Sequence, residues 1–507
     1  MTALKFEKTT RLLAITIGIA FIAIVLALSI MRLAYPYEIE WMEGAMMDHV
    51  VRILDGKPIY TAPSIDFVAW LYPPLYYYIV AAVAKLTGVG FLSGRIVSFA
   101  SSVVTALSLG YITKRLSGER IIAFLTIALY FATYHATGFY FDIVRNDAFF
   151  TMLIVACALA ALSLPRRFGL IASAIILCAA FLTKQQAIFF FPALTLWYWL
   201  RNRKHGIAFG LIAVGLSFAA LLFLSHFTNG WSTYYLFRIP SAKQADFSVI
   251  RMFDVFPDFA LGSFSVSFIA VLILIFLKGR GAVPSENSMR TFFASDAGLI
   301  VMMAFSALAA GAVSLGNEGG YRNVMMPFVA FVIPALPAAI CQLRAFRPEF
   351  SRYIYLPVLF QFAALYFNPL SQKMLIASAH QRRGGDEFMR DLAAIPGEVF
   401  IPYHGYITRQ AGKQSHSHIL AAIDVLRMHD TTAKRLQAEF DSAYSQHRFS
   451  AIILEESDTF RTDTTVDHYT FSRRMLAEPN VYLTRVADGS TRPEFVFVPS
   501  IDIANRK

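Results

Sequence analysis

The chain has 507 residues, of which 56% are hydrophobic and 16% are charged, and its mean hydropathy is +0.52. This composition is too apolar for the surface of a water-soluble protein and indicates a polytopic α-helical membrane protein. Lys and Arg outnumber Asp and Glu by 45 to 34. Basic cytoplasmic loops explain this net charge of +11, so nucleic acid is not an expected partner.

Apolar runs with almost no charged residues, of the length that crosses a bilayer (about 20 residues), recur about eleven times. The predicted spans are 12–34, 94–113, 121–138, 148–164, 169–183, 187–200, 207–225, 259–277, 297–316, 324–341 and 353–368. The three cysteines, Cys157, Cys178 and Cys341, lie inside such runs without metal-ligand spacing, and therefore predict neither a disulfide framework nor redox chemistry.

Basic residues occur in every second loop, which predicts the orientation because such loops stay in the cytoplasm. They precede the first span at Lys5, Lys8 and Arg11 and recur at 114–120, 166–167, 201–204, 278–290 and 344–352. The N-terminus is then cytoplasmic, and the loops 35–93, 139–147, 184–186, 226–258 and 317–323 are external. The first run would alternatively be a cleaved signal peptide, but its length and the lack of a small-residue cleavage site favour an anchor.

The composition changes near residue 369, where charges and histidines return. We therefore predict a membrane domain over 1–368 and a small external α/β domain over 369–507. Strands are expected at Val399–Pro402 and Ala451–Leu454, and helices at Ile419–Arg427 and Thr432–Tyr444. Three histidines of this tail, His404, His416 and His418, match no strong metal spacing and are interpreted as solvated polar residues.

The long first external loop contains two glutamates close together. If 40–54 is a helix, Glu40, Glu43 and Met47 lie along one stripe. Crowding two acids raises the pKa of one of them, which suits a general base acting on a hydroxyl, whereas a solvated acidic loop is the alternative. Further on, two prolines and four tyrosines precede 75–87, which we predict to be a helix lying along the outer interface rather than another span.

Charged residues recur at the other external boundaries. Asp142, Arg145 and Asp147 interrupt two apolar helices, where they either have a function or form a salt bridge that caps two spans. Cations also stand outside at Lys184, Arg238, Lys243 and Arg322, against the positive-inside tendency. Cations at a membrane surface suit a lipid phosphate, although contact with phospholipid headgroups is the alternative for each one.

The order of these features resembles the GT-C class of membrane glycosyltransferases, in the branch of protein O-mannosyltransferases, aminoarabinose transferases and RgtA/B/C/D-like enzymes. The resemblance covers the membrane part. It rests on the segments Glu40-Trp41-Met42-Glu43-Gly44, Gly56-x-x-Ile59-Tyr60, Tyr72-Pro73-Pro74-Leu75-Tyr76, Arg145-x-Asp147, Thr183-Lys184-Gln185 and Gly319-Gly320-Tyr321-Arg322-Asn323.

The resemblance implies a GT-C-type bundle and an inverting transferase that takes a sugar from a polyprenyl-phosphate donor to a hydroxyl of a glycan, lipid or protein. It implies that Glu43, or Glu40, is the general base and that Asp147, with Asp142 nearby, orients the acceptor or assists the base. The donor phosphate is expected at Lys184, Arg322, Arg145 and Arg238, and the substrate pocket at Tyr72, Tyr76, Trp41 and Asn323.

The chain departs from these relatives at two positions. Relatives carry Asp in the first loop where this chain has only Glu before Asp48, and aminoarabinose-type relatives carry Lys where it has Tyr72. Metal dependence varies across the class, and Glu38-x-Glu40 has the spacing of a DxD motif without its residues, so no metal is assigned. A lipid-linked glycan ligase or polymerase, a transporter or flippase, and a non-catalytic scaffold remain alternatives. A bacterial inner membrane is the expected location.

Overall fold

The computed structural model describes residues 3–243, 247–254, 257–279, 288–346, 352–366, 377–455, 467–476, 484–486 and 489–500. The α-helices are, in chain order, α1 (Ala3–Leu33), α2 (Glu43–Leu54), α3 (Leu75–Thr87), α4 (Phe91–Ser117), α5 (Arg120–Ala132), α6 (Asn146–Ser163), α7 (Arg166–Phe181), α8 (Phe190–Arg201), α9 (Arg203–Phe227), α10 (Trp231–Thr233), α11 (Ile239–Ala242), α12 (Val249–Asp254), α13 (Ser265–Gly279), α14 (Ser288–Phe293), α15 (Asp296–Gly316), α16 (Met326–Val332), α17 (Ala335–Phe346), α18 (Leu356–Tyr366), α19 (Ala379–Ala394), α20 (Gly405–Gln410), α21 (Ile419–Leu426) and α22 (Thr431–Ser445). Short 3₁₀ or π segments lie at Gln185–Phe189, Tyr234–Arg238, Pro257–Ser263 and Arg322–Met325.

Five helices in the described part of the chain are long and apolar enough to cross a membrane, so the chain is an integral membrane protein. They are Lys5–Leu33, Phe91–Ser117, Asn146–Ser163, Arg203–Phe227 and Asp296–Gly316. The other predicted spans also fall on helices, but these are shorter, and the run 324–341 is divided between α16 and α17 by Pro334, which interrupts helical hydrogen bonding. The count of about eleven spans therefore stays a prediction.

Helix α4 packs against α1, α5 and α6, and its small polar residues hold the segment that leads into α6. The hydroxyl of Ser102 donates to the carbonyl of Phe141 at 2.9 Å, and that of Ser98 donates to the carbonyl of Arg145 at 3.1 Å. A Cβ at Gly94 would collide with the side chain of Val144. The glycine thus allows the close approach that fixes the backbone just before α6.

The first loop contains the two predicted helices, but one of them begins later than expected. Helix α3 has the predicted bounds, and its interfacial location stays a prediction. Helix α2 begins at Glu43 rather than at residue 40, and Glu40 forms an isolated bridge position before it. The predicted stripe of Glu40 and Glu43 along one helix is therefore wrong, because the chain turns between these residues: the N–H of Glu43 donates to the carbonyl of Glu40 at 3.0 Å.

The tail forms a small α/β unit, as predicted. A four-stranded sheet has the order β1-β2-β6-β3, with β1 and β2 parallel and the other pairs antiparallel, and β4 and β5 form a separate pair. Its strands are β1 (Glu398–Phe400), β2 (Phe449–Leu454), β3 (Tyr469–Arg474), β4 (Thr484–Val486), β5 (Gly489–Thr491) and β6 (Phe495–Pro499). Helices α20, α21 and α22 connect β1 to β2. The predicted boundary at 368/369 lies outside the described residues, so the division into domains stays a prediction.

The tail packs onto the first loop. Helix α20 contacts α2, and the N–H of Ser417 donates to the carbonyl of Ile65 at 2.9 Å. The Asp66 carboxylate lies 2.9 Å from His416 Nδ1 and 2.7 Å from Arg448 Nη2. These contacts bring the residues around 403–418 next to the start of the first loop.

Candidate active site

Four charged side chains from three segments meet where the first loop covers the start of α6. The guanidinium of Arg145 has Nη1 3.6 Å from Glu40 and Nε 3.8 Å from Asp147. The Lys184 ammonium, which follows α7, lies 2.5 Å from the other oxygen of Asp147. All four residues are buried. When all four are ionised the cluster is neutral, and this pairing offsets part of the cost of burying each charge.

Arg145 forms few close hydrogen bonds for a buried guanidinium and is in this sense loosely held. Both of its carboxylate neighbours stand beyond hydrogen-bond distance, and among the described residues Nη2 reaches only the Tyr72 hydroxyl, at 3.4 Å. Nη1 contacts the sulfur of Met42, and Nε has no hydrogen-bond partner in the described part of the chain. Because a guanidinium presents five N–H donors in a fixed fork, Arg145 retains donors for a further anionic group.

Glu40 and Glu43 have different surroundings. One oxygen of Glu40 accepts the N–H of Met42 at 3.2 Å, and the carboxylate faces Arg145. Glu43 is fully buried and accepts Arg95 Nε at 2.9 Å and Arg95 Nη2 at 2.7 Å. It also accepts the backbone N–H groups of Ile39 at 2.7 Å and Val144 at 2.9 Å. Glu43 therefore joins the first loop, α4 and the segment before α6.

These contacts determine the basicity of Glu43. Burial alone would raise the pKa of the Glu43 carboxyl, but the Arg95 guanidinium and the two backbone N–H groups outweigh burial and lower it. A carboxylate with a lowered pKa and this many donors is a weak base, and these donors occupy the lone pairs that would accept a proton.

Two further predicted residues are engaged elsewhere. The Asp142 carboxylate lies 3.1 Å from Arg32 Nε and accepts the Tyr134 hydroxyl at 2.8 Å. The Tyr76 hydroxyl pairs with Ser98 at 3.1 Å. Both residues are fully enclosed, so these side chains serve the packing around α4 rather than line an open site.

The predicted cations differ in burial. Lys184 and Arg145 are buried beside a carboxylate, whereas Arg238 is exposed, with its guanidinium 5.6 Å from the centre of the Tyr234 ring. Arg322 is half-buried and lies 5.9 Å from the centre of the Phe259 ring. Its chain neighbour Asn323 is buried and interacts with Asp147. The structure thus brings together Glu40, Arg145, Asp147, Lys184, Tyr72 and Asn323.

An aromatic cluster adjoins these charges and includes the tail. The ring of His418 lies 5.7 Å from Trp41, 5.1 Å from Trp70 and 5.6 Å from Tyr403, measured between centroids. The Trp70 ring in turn stacks on Tyr72 at 6.5 Å. Trp41 and Tyr72 are half-buried, so this cluster connects the charged residues to partly accessible aromatic surface.

The comparisons with known proteins agree with this architecture. Residues 72–228 match the family model described as dolichyl-phosphate-mannose-protein mannosyltransferase. No curated protein sequence matches the chain. ArnT from Cupriavidus metallidurans, solved with undecaprenyl phosphate, superposes with a TM-score of 0.59 at 12% identity over 96% of this chain and 98% of that one.

A second group of similar structures is archaeal. The oligosaccharyltransferase AglB from Archaeoglobus fulgidus, in complex with an inhibitory peptide and a dolichol-phosphate, gives a TM-score of 0.50 at 9% identity over 86% of this chain and 69% of that one. Another structure of the Archaeoglobus fulgidus oligosaccharyltransferase, with Zn and sulfate, gives 0.51 at 9% identity over 86% and 68%. The chain has the GT-C fold. The resemblance drawn from the sequence is thereby confirmed at the level of the fold.

The structure shows that the interpretation of the three tail histidines as solvated residues is wrong. His404, His416 and His418 are all buried. His404 lies between two carboxylates, pairing through Nδ1 with Glu38 and through Nε2 with Glu455. The described residues contain no group of three or more His, Cys, Asp or Glu side chains arranged to hold a metal ion.

The sequence also did not point to two arginines that pair with Asp142 and Glu43. Arg32 and Arg95 lie inside apolar runs that were counted as spans, and both are buried in ion pairs. A charge inside an apolar run is a sign of a buried partner or of a function. That signal was present, but it does not identify which carboxylate is the partner.

Proposed function

We propose that the chain is an inverting glycosyltransferase that moves a sugar from a polyprenyl-phosphate donor to a hydroxyl acceptor. The GT-C fold supports the reaction class, and the undecaprenyl phosphate bound by ArnT supports a lipid-phosphate donor. The observation that carries the proposal is the loosely held Arg145, buried between the carboxylates of Glu40 and Asp147 and close to Lys184. Such an arrangement suits a phosphate and a reacting hydroxyl side by side.

We assign the general base to Glu40. Its carboxylate takes the proton of the acceptor hydroxyl while the hydroxyl oxygen forms a bond to the anomeric carbon of the donor. The bond from that carbon to the phosphate oxygen breaks with its electron pair, and the configuration at the carbon inverts. Glu40 suits this role better than Glu43, because Glu43 is fully engaged by Arg95 and by backbone N–H groups.

The leaving polyprenyl phosphate gains negative charge as the bond breaks. We propose that Arg145 and Lys184 stabilise that charge, with Arg145 supplying the fork that fits two phosphate oxygens. Asp147 fixes the Lys184 ammonium at 2.5 Å and, with Asn323, orients the acceptor. Tyr72 stands where aminoarabinose-type relatives carry Lys, and its contact with Arg145 supports Arg145 as the phosphate ligand in place of that Lys.

The orientation follows from the distribution of basic residues. We propose that the N-terminus is cytoplasmic and that the site and the tail face outward from a bacterial inner membrane. The acceptor is a hydroxyl of a glycan, lipid or protein of the cell envelope, and the sugar is a hexose or a pentose.

The experiment is release of polyprenyl phosphate by the purified protein from a panel of short-chain polyprenyl-phosphate sugars, with and without candidate acceptors. We expect turnover of one donor. For substitutions of a carboxylate in the site, such as Glu40→Gln, the matched control variant is Glu387→Gln, since Glu387 is an exposed carboxylate on α19. Turnover of none of the donors, together with measurable transport of a lipid-linked glycan, would refute the proposal in favour of a transporter.

A further inference from the structure

His418 belongs to the tail, yet its imidazole lies in the candidate active site. It stands at the N-terminus of α21, and its ring is surrounded by Trp41, Trp70 and Tyr403. Trp41 directly follows Glu40 in the chain, and the Trp70 ring stacks on Tyr72, which contacts Arg145. The tail therefore contributes a polar group to the aromatic surface beside the proposed base.

The hydrogen bonds of His418 determine where its proton sits. Nδ1 accepts the backbone N–H of Leu420 at 3.3 Å, so Nδ1 carries no hydrogen and the neutral ring carries it on Nε2. Burial and the neighbouring charges of His404 and Arg145 lower the pKa of His418 to about 3. The imidazole is thus neutral at pH 7, and Nε2 is an N–H donor.

This donor is poorly satisfied. Nε2 is buried and forms no hydrogen bond of good distance and angle within the part of the chain that the structure describes, and its available acceptors there are the backbone carbonyls of Trp41 and Tyr403, which interact with it weakly. A buried donor without a partner costs free energy, about 1 to 3 kcal/mol. Such a group calls for an explanation, and a ligand whose acceptor completes the hydrogen bond is the one that fits a residue beside a candidate active site.

The surroundings indicate the chemistry of that ligand. Aromatic faces pack against the C–H faces of a sugar ring, and a neutral donor matches a hydroxyl oxygen, whereas the charged Arg145 and Lys184 suit the phosphate. Trp41 is half-buried while Trp70 and Tyr403 are buried, so Trp41 is the accessible ring of this cluster and lies on the side from which a sugar would approach Nε2.

We infer that His418 is a specificity-determining residue that donates its Nε2–H to a hydroxyl of the donor sugar, and that the tail thereby completes the sugar subsite. This inference rests on the proposed function, because it assumes that the ligand beside Arg145 is a lipid-phosphate sugar.

Two substitutions separate this role from simple helix capping. In His418→Asn the side-chain oxygen still accepts the Leu420 N–H, since Asn is a favoured N-cap residue, but no group reaches the position of Nε2. In His418→Gln the longer side chain carries an amide N–H toward that position, whereas the cap is lost. A capping role therefore predicts damage in the Gln variant alone, and a ligand role predicts it chiefly in the Asn variant.

The measurement is a titration of tryptophan fluorescence with the polyprenyl-phosphate sugar and, separately, with bare polyprenyl phosphate. For the wild type we expect the sugar to strengthen binding relative to bare lipid phosphate. His418→Asn should lose about three- to tenfold of that preference at an unchanged melting temperature, the scale of one hydrogen bond. His418→Gln should keep most of the preference at a lower melting temperature.

The outcomes are distinct for the two proposals. If the sugar gives the wild type no preference, or if His418→Asn keeps the full preference, the inference is overturned. If the preference behaves as expected but no donor is turned over, the subsite stands and the transferase function fails.

Discussion

Arg95 donates two hydrogen bonds to the Glu43 carboxylate, from Nε at 2.9 Å and from Nη2 at 2.7 Å, and both side chains are fully buried. The same guanidinium donates to the backbone carbonyls of Tyr35 and Tyr37. One ion pair therefore joins the end of α1, the first loop and α4. It holds Glu40, three residues before Glu43, in front of Arg145.

Glu43→Gln should destabilise the protein rather than act on catalysis alone. The substitution leaves the Arg95 guanidinium buried without its counter-charge, which costs about 3 to 5 kcal/mol when one partner of a buried pair is removed. We expect a marked fall in melting temperature in detergent. The double variant Glu43→Leu/Arg95→Met should recover part of it, and Glu387→Gln should melt like the wild type. A Glu43→Gln protein of wild-type stability would contradict this structural role.

Arg145→Lys should weaken use of the donor although the positive charge is kept. Lysine offers a point charge in place of the planar fork, so one of the two phosphate oxygens loses its hydrogen bond. A hydrogen bond to a charged group contributes about 1.5 to 3 kcal/mol, which corresponds to about a ten- to hundredfold loss in kcat/KM for the donor. Steady-state kinetics of polyprenyl phosphate release measures it. Arg390→Lys is the control, because Arg390 is an exposed arginine on α19, and it should stay within about twofold of the wild type.

Lys184→Met should lower kcat more than it raises KM. The phosphate gains charge as the sugar leaves, so an ammonium contributes most in the transition state. The variant also leaves the Asp147 carboxylate with one cation fewer, and the double variant Lys184→Met/Asp147→Asn restores charge balance. If kcat recovers fully in the double variant, Lys184 serves only to neutralise Asp147 and has no part in the reaction.

The buried His404 should make stability depend on pH. Burial lowers the pKa of His404, but the carboxylates of Glu38 and Glu455 outweigh burial and raise it to about 10. Because the folded state binds the His404 proton more tightly than the unfolded state, this stabilisation is complete below about pH 6.5 and is lost as the pH rises through about 10.

The check is the melting temperature of wild type and of His404→Gln between pH 6 and pH 10. The wild type should be the more stable protein at neutral pH, and the difference between the two should shrink as the pH rises. A difference that is constant over this range would show that His404 contributes through packing rather than through its charge.

The sequence predicted the parts of this protein that are local in the chain. Apolar runs identified the helices, α3 was predicted with its correct bounds, and the composition change after residue 369 predicted the α/β tail. Arg145, Asp147 and Lys184 were each predicted as site residues, because charges at the ends of apolar runs stand out, whereas their contacts with one another were not predicted. The start of α2 was placed too early, since the turn between Glu40 and Glu43 depends on Arg95 and Val144, which are distant in sequence.

Ion pairs between residues that are far apart in the chain could not be predicted from the sequence. Nothing near Asp142 in the sequence indicates that Arg32 neutralises it, and nothing near Glu38 indicates His404, which is 366 residues away. The tail histidines were misinterpreted for the same reason. Hydropathy treats a histidine between polar residues as exposed, whereas the burial of His418 under Trp41 and Trp70 is a property of how the tail packs onto the first loop.

The most direct test of the assignment of Glu40 as the base is the rate of polyprenyl phosphate release by Glu40→Gln, measured with the donor that the wild type uses. The variant's melting temperature is measured in parallel. We predict a loss of at least about a hundredfold in kcat at wild-type stability, the scale of general-base catalysis. A Glu40→Gln enzyme that retains kcat within a few-fold of the wild type would contradict the account.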